Sequence, residues 1–327
     1  MNKLFLVFAM TLFTIGCSSS SGDAGNGGAG GDGGAAGIGG AGGEGGTGGA
    51  EPKCTTAQEM LRCDKVLNIA HRGGRRIRPE HTLLAYDQAL EDGADILELD
   101  VSETSDGVIV VMHDLDLDRT TDCTGAILGM TFDEIRQCDA GYDFTPDGGE
   151  TYPYRGTGLV VPTMEEVFDR YPGIAFVIEI KQAAPSMVDH FVDVIRENRV
   201  TDKMIGSAFS DDVLQELRAA APELATNMGV NETLVFWGNS FNPIDPEYDP
   251  PAEFLQVPTE YNVGDRDVVV LHPGFVPRAH ELGMYVHVWT INDEQEMREL
   301  IEMGVDGIMT DDPPLLTEVI NDLGVGD

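Results

Sequence analysis

The sequence predicts a (β/α)8 barrel with a small insertion after the second strand, preceded by a leader outside the fold. Three observations carry this. Eight short apolar, β-rich runs are spread between residues 66 and 311. Amphipathic runs of helical length separate most of them, which indicates parallel strands with helices outside. Eight such units in a domain of this size fit a closed barrel. A doubly wound open sheet is the runner-up, and it lacks its usual signature: Ala70-His71-Arg72-Gly73-Gly74 after the first strand is not a Gly-rich dinucleotide loop.

The strands are expected at Val66–His71, Asp95–Val101, Ile174–Lys181, Lys203–Phe209, Leu224–Met228, Glu253–Val257, Met284–Thr290 and Gly307–Asp311. Helices are expected at His81–Glu91, Met164–Tyr171, Met187–Asn198, Asp211–Ala220, Pro277–Leu282 and Asp293–Met303. Two stretches break the alternation. Ser102–Asp114 reads as a hairpin turning at Asp106-Gly107, with Val108–Met112 as the return strand. Thr120–Val161 reads as an insertion with a short helix near Phe132–Gln137. Both are expected over the carboxyl ends of the early strands, where barrel sites lie.

The leader has its own logic. Met1-Asn2-Lys3 is a positive start, and Leu4–Ile15 is an apolar run of twelve residues, too short to span a bilayer but the length of a signal-peptide core. It ends in Thr14-Ile15-Gly16-Cys17, which resembles the lipobox of bacterial lipoproteins, although Thr14 stands where that pattern usually has Leu. Residues 1–17 are therefore read as a lipoprotein signal peptide with Cys17 as the lipidated residue. An ordinary secretory signal is the alternative. Residues 18–50 form a Gly-rich tether: residues 21–50 hold 17 of the chain's 40 glycines and no aromatic residue, too little apolar surface to offset ordering entropy. Its average reach is ~30–35 Å. Residues 51–327 form the folded domain. The expected location is the cell envelope, exported and lipid-anchored on the periplasmic or extracellular side.

Charge excludes some functions. The chain carries 20 Lys+Arg against 57 Asp+Glu, a net −37, and residues 51–327 account for −35 of it. Such a chain is repelled by nucleic-acid phosphates and by anionic membrane surfaces. Any membrane contact is expected through the lipid anchor only, and no protein partner is implied. Beyond Cys17 there are four cysteines, an even number in an exported chain. The expected pairs are Cys54–Cys63 and Cys123–Cys138, each closing a local loop. A four-cysteine metal site is the rival, but spacings of nine and fifteen do not match zinc-ligand pairs.

The chemistry-bearing residues gather at strand ends. Alternate residues of a barrel strand point inward, so Glu98 and Asp100 share a face that Leu97 and Leu99 do not. Two carboxylates converging at a strand end make a cation site. Glu179 and Lys181 repeat the spacing. Glu179 adds a third oxygen ligand for Ca2+ or Mg2+, while a plain buried Glu–Lys pair is the alternative. His71 ends the first strand and His113 ends the hairpin return, so the two suit acid/base work. Arg72, Arg75, Arg76 and Arg78 fall within seven positions, a local positive loop suited to an anion such as phosphate. Rim salt bridges suffice to explain the last three, but not Arg72. Asp114-x-Asp116-x-Asp118 fails as a calcium loop because Arg119 stands where Gly is needed.

These motifs together resemble the glycerophosphodiester phosphodiesterase family. The matching stretches are His71-Arg72-Gly73, Pro79-Glu80-His81-Thr82, Glu98-Leu99-Asp100-Val101, Thr104-Ser105-Asp106-Gly107, His113-Asp114, Arg119-Thr120-Thr121, Glu179-Ile180-Lys181, Val288-Trp289-Thr290 and Gly304 to Asp311. They run in the family's order across about 250 residues. The resemblance implies a barrel phosphodiesterase with a divalent metal, Ca2+ first and Mg2+ second, bound by Glu98, Asp100 and Glu179. His71 and His113 would be the acid/base pair. Arg72 and Lys181 would hold the phosphate, and Trp289 and Glu80 would line the substrate pocket. The implied substrate is a small glycerophosphodiester, hydrolysed to glycerol 3-phosphate and an alcohol. A lysophospholipase D or a cyclising lyase on the same barrel is the alternative, and a non-catalytic phosphodiester-binding lipoprotein the remote one. One position departs: the family usually has Asn where this chain has His81, which predicts a changed pH optimum or substrate fit rather than lost activity.

Overall fold

The structure is a computed structural model and describes residue 54 and residues 56–241, 248–263 and 266–326. The signal peptide 1–17, Cys17 and the tether 18–50 lie outside the described residues. In chain order the strands are β1 (Leu67–Ala70), β2 (Ile96–Glu103), β3 (Ile109–Val111), β4 (Ala175–Ile180), β5 (Met204–Ser207), β6 (Ala225–Thr226), β7 (Phe254–Val257), β8 (Glu260–Val263), β9 (Arg266–Val269), β10 (Tyr285–Val288) and β11 (Gly307–Thr310). Eight of them pair in the order β6-β5-β4-β2-β1-β11-β10-β7, all parallel. A parallel bridge between Asn227 and Phe254 joins the two edges, so the barrel is nearly closed. Each of the eight expected strands is present.

Side-chain alternation divides the core in two. Leu67, Ile69, Ile96, Ala175, Val177, Ile205, Phe254 and Met309 fill the barrel interior. Leu97, Leu99, Phe176 and Ile178 point outward against the helical layer. Burying each such aliphatic side chain contributes ~1.5–3 kcal/mol. Ala57 of the short helix α1 (Ala57–Met60) and the following Leu61 join the interior cluster and cover the entry end of the strands.

The outer helices include α2 (Leu83–Glu91), α4 (Met164–Arg170), α5 (Val188–Glu197), α6 (Asp211–Ala220), α7 (Val230–Phe241), α8 (Phe275–Glu281), α9 (Glu294–Met303) and α10 (Pro313–Leu323). Helix α2 starts two residues later than the spacing predicts. His81 has φ +58°, outside the helical region, and Thr82 caps the helix through the Ala85 N–H. Helix α10 escaped the sequence reading because Pro313-Pro314 looks like a breaker, although proline is tolerated in a helix's first turn. Helix α7 escaped it because its apolar residues are not confined to one face: Leu234 and Val235 are exposed. The antiparallel pair β8–β9 was also not anticipated.

The expected hairpin is present, with β3 antiparallel to the end of β2, Val101 opposite Val111 and Glu103 opposite Ile109. Beyond it the insertion, with its short helix α3 (Phe132–Ile135), has a small core of its own, built on Val110, Leu117, Ile127, Ile135 and Val161. Both disulfides pair as expected, Cys54–Cys63 and Cys123–Cys138, and the second ties this insertion together. No helix among the described residues is long and apolar enough to cross a membrane.

Candidate active site

The alternation that fills the barrel with apolar residues delivers polar ones at the strand ends. His71 follows Ile69, Asp100 follows Glu98, and Asp311 follows Met309 on the inward faces. The turn after β1 is tight. Arg72 (φ +54°) and Gly73 (φ +79°) are both left-handed, and a Cβ at position 73 would lie 2.8 Å from that of Ala85, which only glycine avoids. This turn aims the Arg72 backbone N–H at Glu98 Oε2, 2.8 Å away.

Glu98, Asp100 and Glu179 each offer an oxygen within 4.8 Å of the others. Burial, reinforced by the Asp100 charge, pushes Glu98 well above the usual carboxylate range and Glu179 up to about 7. Asp100 is held low despite its burial because His81, Lys181 and Arg72 surround it. Lys181 Nζ bridges Asp100 Oδ1 at 2.9 Å and Glu179 Oε1 at 2.8 Å. Two buried carboxylates and a partly buried third, mutually repelling and with oxygen-only donors, suit a hard divalent cation, so the residues fit the implied metal.

Each expected histidine has a carboxylate on Nδ1. His71 Nδ1 lies 2.6 Å from Asp311 Oδ1 and His113 Nδ1 2.8 Å from Asp114 Oδ1. If Nδ1–H of His71 donates to Asp311, its Nε2 is the lone-pair atom that accepts from Arg72 Nε at 3.2 Å. Burial lowers the pKa of both imidazoles, partly offset by nearby carboxylates, Asp311 for His71 and Asp100 for His113. Asp311 is further fixed by Arg75 Nε at 2.9 Å and Asn292 Nδ2 at 2.9 Å. Asp311 closes the Gly304 to Asp311 stretch, and the alternation that singles out Glu98 and Asp100 applies equally to Met309 and Asp311. Asn292 carried no comparable signal.

Arg72 is buried and engages Glu80 at 3.2 Å and Asp100 at 3.3 Å. Glu80 in turn receives both Arg119 terminal nitrogens, at 2.8 and 2.6 Å. That fork and Arg72 outweigh burial and hold the Glu80 carboxyl down to about 2. A cavity of about 380 Å³ opens here, lined by Arg75, Arg76, Glu80, Arg119, Asn292 and Asp311. A neighbouring one of about 210 Å³ shares Arg75, Glu80 and Arg119 and reaches Phe144 and Thr145 of the insertion. Glu80 lines both cavities. Trp289 lines neither; its ring packs edge-on against Phe209, centroids 5.6 Å apart, and Phe209 in turn lies 5.7 Å from Lys181 Nζ. Trp289 and the half-exposed Phe209, which no motif flagged, therefore form an aromatic wall on the Lys181 side. Of the three arginines read as rim groups, Arg78 is buried and paired with Asp92, while Arg75 and Arg76 keep exposed side chains.

Comparison with known proteins agrees with this geometry. The profile of the glycerophosphoryl diester phosphodiesterase family matches residues 71–315. A glycerophosphodiester phosphodiesterase from Caldanaerobacter subterraneus is 33% identical over 261 residues, 78% of this chain and 98% of its own. One from Bacillus subtilis is 32% identical over 274 residues, 80% of this chain and 88% of its own. The crystal structure of a glycerophosphodiester phosphodiesterase from Agrobacterium tumefaciens superposes with a TM-score of 0.62 at 26% identity, covering 77% of this chain and 99% of its own. The chain belongs to the glycerophosphoryl diester phosphodiesterase family.

Proposed function

We propose that the chain hydrolyses glycerophosphodiesters to glycerol 3-phosphate and an alcohol, with a divalent cation held by Glu98, Asp100 and Glu179. The hydrolysis follows from the family and from relatives of 32–33% identity across most of the chain. The observation that carries the site is the meeting of three carboxylates, two of them buried, with two histidines, each backed by its own carboxylate. Bound there, Ca2+ or Mg2+ supplies charge neutralisation at the phosphoryl oxygens.

This chain's own residues do the rest. Arg72 and Lys181, already among the carboxylates, hold the phosphodiester and stabilise charge that develops on it. One of His71 and His113 takes the proton of the attacking water as its oxygen bonds to phosphorus. The other protonates the alkoxide as the phosphorus–oxygen ester bond breaks. Asp311 and Asp114 fix the two imidazoles, Glu80 borders the space for the substrate, and Trp289 with Phe209 forms the wall on the Lys181 side. Export with lipid attachment at Cys17 completes the reading. The two disulfides support the exported part of it, since such bonds persist in oxidising compartments.

The test is glycerol 3-phosphate release from glycerophosphocholine by the purified protein, with Ca2+ or Mg2+ and with EDTA. Metal-dependent release is expected. Release undiminished by EDTA would remove the cation from the site. Lysophosphatidylcholine in parallel, with phosphorus NMR of the products, separates hydrolysis from lysolipid cleavage or cyclisation.

A further inference from the structure

We infer that His81 is a positioning residue, one that fixes the Asp100 carboxylate for metal binding through a buried chain running from Tyr86 to His81 to Asp100. The inference rests on the proposed role of Glu98, Asp100 and Glu179 as metal ligands.

The geometry is specific. His81 is 2% exposed, lines neither cavity, and sits behind Asp100 rather than beside a substrate space. Its Nε2 lies 2.9 Å from Asp100 Oδ2 and its Nδ1 lies 2.7 Å from the Tyr86 hydroxyl. The direction of these bonds is fixed by chemistry. A carboxylate only accepts, so Nε2 must carry a proton. The Tyr86 O–H then donates to Nδ1 when the ring is neutral. When it is charged, Nδ1–H donates to the Tyr86 oxygen and the O–H turns to the Glu98 carbonyl oxygen, 3.4 Å away. Nε2 donates to Asp100 in either state, so the positioning does not depend on the titration of His81.

The effect on Asp100 follows. Oδ2 is engaged by His81 and by Arg72 Nε, while Oδ1 lies 2.9 Å from Lys181 Nζ, which in turn reaches Glu179 Oε1 at 2.8 Å. His81 thereby limits rotation of the carboxylate that would turn Oδ1 away from Lys181 and Glu179. The backbone agrees. Position 81 needs a left-handed φ of +58°, held by the His81 N–H to Arg72 carbonyl bond of 3.0 Å, and His, like Asn and Asp, is enriched there. An asparagine could also take this backbone and donate one hydrogen bond. It could not present a second ring nitrogen to Tyr86. His81 thus recruits the Tyr86 hydroxyl, whose side chain is fully buried, to hold the ring.

Calorimetric titration of the metal-stripped full-length protein with Ca2+, without substrate, tests this. His81→Ala is expected to raise the Ca2+ Kd ~10–100-fold, the usual consequence of removing a group that orients a metal ligand. Tyr86→Phe keeps the packing and is expected to raise Kd in the same direction by a smaller factor. In both, kcat at saturating Ca2+ should return close to the parent value, and the melting temperature in EDTA serves as the folding control. A folded His81→Ala that binds Ca2+ as tightly as the parent overturns the inference. If His81→Ala does not fold, unchanged affinity in Tyr86→Phe does so instead. A parent that binds Ca2+ but releases no glycerol 3-phosphate defeats the hydrolase reading alone; a parent that binds neither Ca2+ nor, in a parallel titration, Mg2+ defeats the cation site and this inference with it.

Discussion

Nδ1 of His71 lies 2.6 Å from Oδ1 of Asp311, although 240 residues separate them in sequence. The barrel's closure makes them neighbours: β1 pairs with β11 in a register that sets Ala70 opposite Thr310, and the next residue of each strand projects at the rim. Asp311→Asn keeps the size but removes the negative charge that holds the His71 proton on Nδ1. We expect kcat to fall ~10²–10⁴-fold with little change in KM. Asp311 also raises the pKa of His71 against the larger effect of burial. The pH–rate limb belonging to His71 should therefore move to lower pH in the variant. A variant with the parent's kcat and pH profile would strip the pair of its role.

His71→Ala and His113→Ala should each cost ~10²–10⁴-fold in kcat, because each removes one proton-transfer group. The double variant should lose much less than the product of the two, since the groups act in one reaction. Steady-state kinetics with circular dichroism as a folding control decides it. Either single variant keeping most of the parent's rate would dismiss that histidine from the acid/base pair.

Most of the barrel was legible because one rule, alternation along a parallel strand, fixes both core and site. Ile96, Glu98 and Asp100 are spaced as interior residues, and the first fills the core while the last two form the carboxylate cluster. The same rule reaches Asp311. What the sequence hid depends on loops and on contacts between distant elements. Phe209 meets Trp289 only because β5 and β10 aim their rims at one another. His81 read as the residue that opens the helix after the first loop, near the site; its left-handed backbone instead leaves it before the helix and turns its ring onto Asp100. Proline in the first turn of α10 and apolar residues around α7 concealed two helices for the local reasons given above.

The Cys123–Cys138 bond closes a loop of 15 residues within the insertion that supplies Phe144 and Thr145 to the second cavity. Such a cross-link contributes ~3 kcal/mol through the unfolded state. Cys123→Ser/Cys138→Ser is therefore expected to lower the melting temperature in calorimetry. It should also raise KM more than it lowers kcat, because the cavity wall loosens while Asp100 stays on β2 and His71 and Lys181 stay at the ends of β1 and β4. A drop in kcat at unchanged KM would place the insertion in the chemistry rather than in substrate binding.

His287 gives a stability test independent of catalysis. It is fully buried on the inward face of β10, and neither ring nitrogen has a hydrogen-bond partner among the described residues. Burial pushes its pKa from the ordinary 6.5 down to about 4. The folded state therefore binds this proton less readily than the unfolded state. Stability from keeping the ring neutral is complete above pH 6.5 and declines as pH falls from there toward 4. Over that window the loss amounts to ~3 kcal/mol, at about 1.4 kcal/mol per pH unit. His287→Leu removes the titration while keeping an apolar side chain in the interior. Urea unfolding at pH 7 and pH 4.5 should show the parent losing ~2–3 kcal/mol more than the variant between the two conditions. Parallel losses in the two proteins would mean that His287 gains a proton without opening the barrel, and that acid instability comes from the carboxylates and histidines of the site.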